Sequence, residues 1–383
     1  MDFSLSDEQQ QLKDSLKRYL DKTYTFEERR RQLASGEKYS RKHWAAFAEF
    51  GLLGIGMPEA CGGLGANTNA AEDIMVVMEC FGRSMVVEPY VSTVVLCGGL
   101  IRDTGSESQQ QALLPDLIAG TTSFALAAHE RAARYRLRHV KTKAIQEGES
   151  YFLSGEKSVC LHGDSADRLL VSARTKGATD DESGIALFVV DANAPGVSMR
   201  GYPTFDGLRA ADIAFDNVRI AASARLGDAN NALPALERAI DHGVAALCAE
   251  AVGAMDVSIE QTLEYIKNRK QFGAPIGSFQ VLQHRMTDMY IAVEQARSMS
   301  MLCAIKAGSE SATERRKAIS AAKSIVGQSA RYVGQQAVQL HGGMGVTDAL
   351  PISHYFKRLT AIDMTFGDAS YHRGLFSDLI AAE

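Results

Sequence analysis

Apolar residues recur along this chain with two periods, and the changes of period divide it into three stretches. To about residue 120 the spacing is helical. Leu12, Leu16, Tyr19 and Leu20 form one stripe, preceded by Ser6 and Gln9, whose three-residue spacing fits a capping box. Trp44, Phe47, Phe50 and Leu53 make a second stripe, interrupted at Gly51 and closed by Pro58. A third runs through Ile74, Val77 and Met78 within Asp73–Glu79, after the loop Gly62-Gly63-Leu64-Gly65. That loop is too short, and lacks the following lysine, to cradle a phosphate.

From about Ser123 the pattern becomes that of strands. Short β-branched or aromatic runs occur at Tyr151–Leu153, Leu169–Ser172, Ile185–Val190 and Asp212–Phe215, with turn-rich pieces such as Thr175–Gly184 between them. They predict an antiparallel barrel or sandwich of about 100 residues. No G-x-G-x-x-G follows a strand, which excludes Rossmann-type nucleotide binding. Beyond a linker at Asp228–Asn231 the helical period returns in Ala235–Asn268, Ser278–Ala307 and Thr313–Leu340. Three helices of about thirty residues suit a four-helix bundle with a shorter final pair. The expected architecture is α+β and multidomain: an N-terminal helical domain (1–120), a central β-barrel (121–227) and a C-terminal helical bundle (228–383).

Composition narrows the classes of function. An apolar share of 46% with 23% charged residues describes a globular protein, and a formal charge of −5 gives no electrostatic reason to expect nucleic acid or an anionic membrane. Six cysteines lie far apart without a Cys-x-x-Cys pair, which fits buried thiols in a reducing compartment. The sequence starts Met1-Asp2-Phe3-Ser4-Leu5-Ser6-Asp7-Glu8, acidic and without a signal core. The most apolar stretch, Met85 to Ile101, is broken by Glu88 and Pro89 and is short for a membrane span. A cytoplasmic location without a membrane span is expected. No His/Asp/Glu cluster has metal-ligand spacing, and no G-x-S-x-G element suggests a hydrolase.

Two motifs carry chemistry. Arg269-Lys270-Gln271-Phe272-Gly273-Ala274-Pro275-Ile276-Gly277, followed by Gln280 and Gln283, sits between two predicted helices. Gln339-Leu340-His341-Gly342-Gly343-Met344-Gly345 closes the third. An arginine at a helix end offers paired donors to a pyrophosphate, an adjacent aromatic can cover a planar ring, and glycines admit close approach of a cofactor. With Gly51-Leu52-Leu53, Pro58-Glu59, Gly155-x-Lys157 and Phe215-x-x-Val218, these motifs resemble the acyl-CoA dehydrogenase family over the whole chain. The overall pattern, including Lys357–Asp363 and Thr365-Phe366-Gly367-Asp368, is most similar to the small-subunit branch of heteromeric enzymes, of the pimeloyl-CoA dehydrogenase type.

The resemblance implies FAD between barrel and bundle, with its adenine half reaching a neighbouring subunit. Arg269, Gln271, Phe272, Gln280, Gln339, Leu340 and Gly343 match cofactor-binding positions. On the barrel the matching segments are Leu126–His129 and Val159–Leu161, where Val159 and Leu161 replace the usual aromatic and threonine. Asp368 adjoins the flavin side. The implied partners are an acyl-CoA, a homologous subunit in a hetero- or homotetramer, and an electron-transfer flavoprotein.

The reaction the family performs removes a proton α to the thioester, which requires a buried carboxylate as base. The position matching the usual glutamate is Phe366, and the alternative position on the first bundle helix is Gly243. Asp241 matches an aspartate near the acyl-CoA, but the arginine expected three residues later is Val244. Three readings follow. The chain is a non-catalytic small subunit, or a displaced carboxylate (Asp368, then Asp241 or Glu250) is the base, or the fold survives as a flavin-binding scaffold. Each carboxylate has a structural alternative: Asp368 as a helix cap, Asp241 paired with a cation, Glu250 facing solvent or a bundle neighbour. His341 and His242 read as structural. Arg131, Arg134, Arg136 and Arg138 read as loop charge, or as a site for a substrate carboxylate or CoA phosphate.

Overall fold

The computed structural model describes residues 5–65 and 70–382. Met1–Ser4, on which part of the N-terminal reading rests, lie outside the described residues. In chain order the helices are α1 (Asp7–Thr23), α2 (Phe26–Ala34), α3 (Arg41–Glu49), α4 (Ala70–Ser84), α5 (Gly99–Thr104) and α6 (Glu107–Ile118). Eight strands follow: β1 (Phe124–Ala127), β2 (Lys143–Glu147), β3 (Ser150–Leu161), β4 (Arg168–Arg174), β5 (Ile185–Asp191), β6 (Val197–Pro203), β7 (Arg209–Ala221) and β8 (Arg225–Leu226). Then come α7 (Leu233–Asn268), the small hairpin β9 (Lys270–Gln271) and β10 (Ala274–Pro275), α8 (Gln280–Ala307), α9 (Ala312–His341), α10 (Pro351–Met364) and α11 (Ala369–Ala381). Helical domains thus flank a β domain, as the periods predict.

Local sequence explains the element ends. The capping box at α1 forms: the Gln9 N–H donates to Ser6 Oγ at 3.2 Å and the Ser6 N–H to Gln9 Oε1 at 3.1 Å. In the second stripe Trp44, Phe47 and Leu53 are buried while Phe50 is 39% exposed. Phe50 departs from the stripe because α3 ends there, and Gly51, at φ 75°, turns the chain away.

By internal contacts the chain groups into two compact units, one of 1–31, 71–86 and 244–383 and the other of 32–70 and 87–243. In the first, α1 and α4 join the helical bundle. Where α4 meets α7, a Cβ on Gly82 would stand 1.9 Å from the Glu250 carbonyl oxygen, and one on Gly253 1.9 Å from that of Glu79. Glycine at both places lets the backbones touch. Charge lines this packing too: Arg297 donates to Asp256 at 2.6 Å and Glu79 at 3.2 Å, and Lys13 to Glu79 at 3.1 Å. The helix Leu233–Asn268 is long and apolar enough to cross a membrane, but 78% of its most apolar window is buried within the protein, as in a core helix.

The second unit carries the sheet, ordered β6-β7-β3-β2-β4-β5-β8 with β1 beside β4. Its core includes Leu153, Leu169, Val171, Phe188, Phe215 and Val218. Pairing is not wholly antiparallel, because β1–β4 and β2–β4 run parallel. Parallel pairing requires a long crossover, and the roughly forty residues between β1 and β4 supply one. None of the six cysteines forms a disulfide, and all six are buried.

Candidate functional site

In the bundle unit, α7 and α8 are joined by the β9–β10 hairpin, in which Gln271 pairs with Ala274 across a two-residue turn. Both turn residues, Phe272 (φ 55°) and Gly273 (φ 82°), have the positive φ of a type I′ turn. For a bulky aromatic this backbone costs on the order of 1 kcal/mol or more, yet the ring gains nothing from burial, being 93% exposed. The turn holds an aromatic face out to solvent. Arg269 is exposed beside it and has no ion-pair partner among the described residues. Gln271 reaches only its neighbour, donating to the Lys270 carbonyl at 2.8 Å. Gln280 and Gln339 are exposed, and Leu340 is buried.

The glycines after α9 divide by role. A Cβ on Gly345 would strike the Val338 carbonyl oxygen at 2.5 Å, so packing explains that glycine. A Cβ on Gly343 would meet nothing within 4 Å. Its missing side chain leaves open space, as a closely approaching ligand requires. His341 is structural: its Nδ1 lies 2.8 Å from the Ala337 carbonyl, and its ring stacks on Tyr265 at 4.3 Å.

The segment Thr365-Phe366-Gly367-Asp368 links α10 to α11. Phe366 has φ 58°, a second strained aromatic position. His372 Nε2 lies 3.1 Å from the Phe366 carbonyl and donates to it in the neutral tautomer. Burial, and then Lys323, lower the His372 pKa to about 4, so this ring is neutral. Beneath the segment the fully buried Lys323 donates to the carbonyls of Ile362 and, at 3.0 Å, Asp363, while Asp363 Oδ1 accepts from the Ala369 N–H at 3.1 Å. Asp368 is the N-cap of α11, accepting from the Tyr371 N–H at 2.8 Å. Glu250 is clamped: Arg358 Nε and Nη2 each donate to one of its oxygens at 2.6 Å, and both side chains are buried. Both of its oxygens are thus held by one guanidinium.

In the β unit the structure brings together the two segments expected around a flavin ring. The Ser158 N–H donates to the His129 carbonyl at 2.9 Å, and Cys160 Sγ to that of Leu126 at 3.3 Å. Buried Lys157 joins them further, donating to the Ala128 carbonyl at 3.4 Å and Glu130 Oε1 at 2.9 Å. Burial lowers the Lys157 pKa to about 8, and burial with the Lys157 charge lowers that of His129 to about 4.

Val159 is unusual. The β3–β7 register shifts between Lys157 and Cys160, and Val159 takes φ 53° with its side chain 57% exposed. A β-branched residue in that region is an outlier. Its N–H donates to Asp212 Oδ1 at 3.2 Å. The same carboxylate accepts from Tyr202 Oη at 3.0 Å and Arg200 Nη2 at 2.7 Å. Partial burial raises its pKa, but these donors outweigh burial and hold it below the ordinary value. Sequence reasoning missed Asp212, although an acid opening an apolar strand run was visible.

Other expected residues lie elsewhere. Arg136 and Arg138 pair with Asp180 and Glu182 at 3.3 and 3.2 Å, while Arg134 lies over the Tyr135 ring. Asp241 is buried on α7. A cleft in the β unit, about 810 Å³ and lined by Arg168, Gln109 and Arg225 among others, contains none of the expected site residues.

Comparison with known proteins gives a consistent result. Family models described as acyl-CoA dehydrogenase N-terminal, middle and C-terminal domains match residues 6–121, 125–218 and 230–378. The probable acyl-CoA dehydrogenase YngJ of Bacillus subtilis (strain 168) is 28% identical over 381 residues, covering 97% of this chain and 98% of its own. Among solved structures, a variant of the steroid ACAD Tcur3481-Tcur3483 is 30% identical over 99% of each chain, with a TM-score of 0.87. The ChsE4-ChsE5 complex from Mycobacterium tuberculosis shares the fold at 23% identity, TM-score 0.87 and full coverage of both chains.

Proposed function

Because the chain belongs to the acyl-CoA dehydrogenase family, whose members are FAD-dependent oxidoreductases acting on the CH–CH bond of acyl-CoA thioesters, we propose that it is the base-lacking small subunit of a heteromeric dehydrogenase. The observation that carries this reading is Phe366: the loop matching the base position keeps a strained, heavily braced backbone, yet presents a side chain that cannot take a proton. Two candidate bases are otherwise engaged. Asp368 caps α11 and Glu250 is clamped by Arg358. The paired name of Tcur3481-Tcur3483 supports a two-chain assembly.

The bundle suits the FAD of a neighbouring subunit. Arg269, exposed and without an ion-pair partner among the described residues, would bind pyrophosphate oxygens, Phe272 would lie against a planar ring, Gln271, Gln280 and Gln339 would donate to polar edges, and Gly343 would leave room. FAD, when bound, supplies the hydride acceptor for α,β-dehydrogenation. Exposed apolar residues around the hairpin and on α8, Phe279, Val281, Tyr290 and Ile291, form the pairing surface. The assembly is an α2β2 tetramer in the cytoplasm that passes electrons to an electron-transfer flavoprotein, and the proposed domain boundaries lie at 120 and 227.

Co-expression with a homologous subunit that carries the glutamate tests this. A co-purifying hetero-tetramer with acyl-CoA-reducible flavin is expected. A chain that forms only its own tetramer, with full flavin and activity, overturns the reading.

A further inference from the structure

The β face of this chain fits a flavin ring less well than its bundle fits the rest of the cofactor. A flavin presents mostly hydrogen-bond acceptors along its pyrimidine edge, with N3–H its one donor there, so the protein segments around it must chiefly offer donors. At the segment expected to face the ring, the two replaced side chains, Val159 and Leu161, offer none. The exposed backbone donor, the Val159 N–H, is already taken by Asp212 at 3.2 Å. Asp212 is itself an acceptor-only group, fixed by Arg200 at 2.7 Å and Tyr202 at 3.0 Å. An acceptor atom of a ring brought against Val159 would meet a charged carboxylate instead of a donor, in an increasingly desolvated setting.

Resting on the small-subunit reading, we propose that Asp212 is an exclusion device: it occupies the Val159 backbone donor and keeps a flavin ring off this chain's own β face, so the assembly holds one flavin for every two chains, seated on the partner. The chain contributes its bundle to that flavin and leaves its own β face empty. The Val159 backbone, held at φ 53° within the strand irregularity, is the strained element that aims this N–H at the carboxylate. Removing Asp212 returns the donor and removes the charge, without touching the bundle residues.

The test measures FAD binding by flavin fluorescence for the lone chain, and the ratio of FAD to total chains in the assembly with its homologous partner. Wild type, Asp212→Ala and Asp212→Asn are compared, with melting curves to establish that each is folded. The expected result is weak binding and a ratio near one half for wild type. Asp212→Ala should bind at least about tenfold tighter, or a gain of about 1.4 kcal/mol, and raise the assembly ratio above one half. Asp212→Asn separates charge from occupancy, since its amide oxygen still accepts from Val159. If both folded variants bind no more FAD than a weakly binding wild type, the exclusion role is overturned while the small-subunit reading stands. If the wild-type lone chain already binds one FAD per chain tightly and is reduced by an acyl-CoA, the small-subunit reading fails as well.

Discussion

Replacing Glu250 by leucine should destabilise the bundle strongly, because it takes the bidentate carboxylate away from the buried Arg358 guanidinium. The two side chains form a bidentate pair with both bonds at 2.6 Å and side-chain exposures of 3% and 7%. Removing one partner of a buried pair costs about 3–5 kcal/mol, whereas replacing both by apolar groups is often close to neutral. At about 2–4 °C per kcal/mol for a unit of this size, Glu250→Leu should melt roughly 6–20 °C below wild type. The double variant Glu250→Leu/Arg358→Met should recover most of that loss, and the difference defines the coupling between the two sites. Melting followed by circular dichroism at 222 nm reads both. A Glu250→Leu chain that melts within about 1 °C of wild type but loses turnover in an assembled enzyme would refute the structural assignment and return Glu250 to the list of bases.

Three further outcomes are expected. The folded His372 and His129 pKa values are about 4 against an ordinary 6.5, so between these limits the unfolded chain binds protons that the folded chain does not. Stability is therefore full above pH 6.5 and falls as pH drops toward 4, by up to about 3 kcal/mol for His372, and urea midpoints at pH 7.5 and 5 should separate less in His372→Gln. Gly82→Ala forces a Cβ to within 1.9 Å of the Glu250 carbonyl oxygen and should lower the urea midpoint by an amount equivalent to at least about 1–3 kcal/mol; an unchanged midpoint would mean the helices do not touch there. Phe272→Ala should leave melting within about 0.5 kcal/mol of wild type, since the ring is 93% exposed, while weakening partner-dependent flavin retention about tenfold; equal retention would remove the ring from the site.

Much of the fold was legible because its periods are strong. The long helices around Leu233–Asn268, Gln280–Ala307 and Ala312–His341 and the strands around Tyr151, Leu169, Ile185 and Asp212 follow from apolar spacing alone. β6 was not, since its residues are mostly exposed or half-buried and carry little apolar signal. Nor was the parallel pairing of β1 with β4, which depends on contacts far apart in sequence. At the site, the motifs around Arg269 and Gly343 were visible as residue patterns. What the chain does with Phe272 and Val159 was not, because both are decided by backbone torsion: φ 55° and 53°, where side-chain propensity argues against them. Asp212 was hidden for the same reason, as its role appears only once the irregularity turns the Val159 N–H toward it.

The central claim, that the base comes from another chain, is tested most directly by anaerobic titration of the purified lone chain, supplied with FAD, against a panel of acyl-CoA thioesters that includes pimeloyl-CoA. The account predicts no bleaching of flavin absorbance until a homologous subunit carrying the glutamate is added. Bleaching by the lone chain would contradict it.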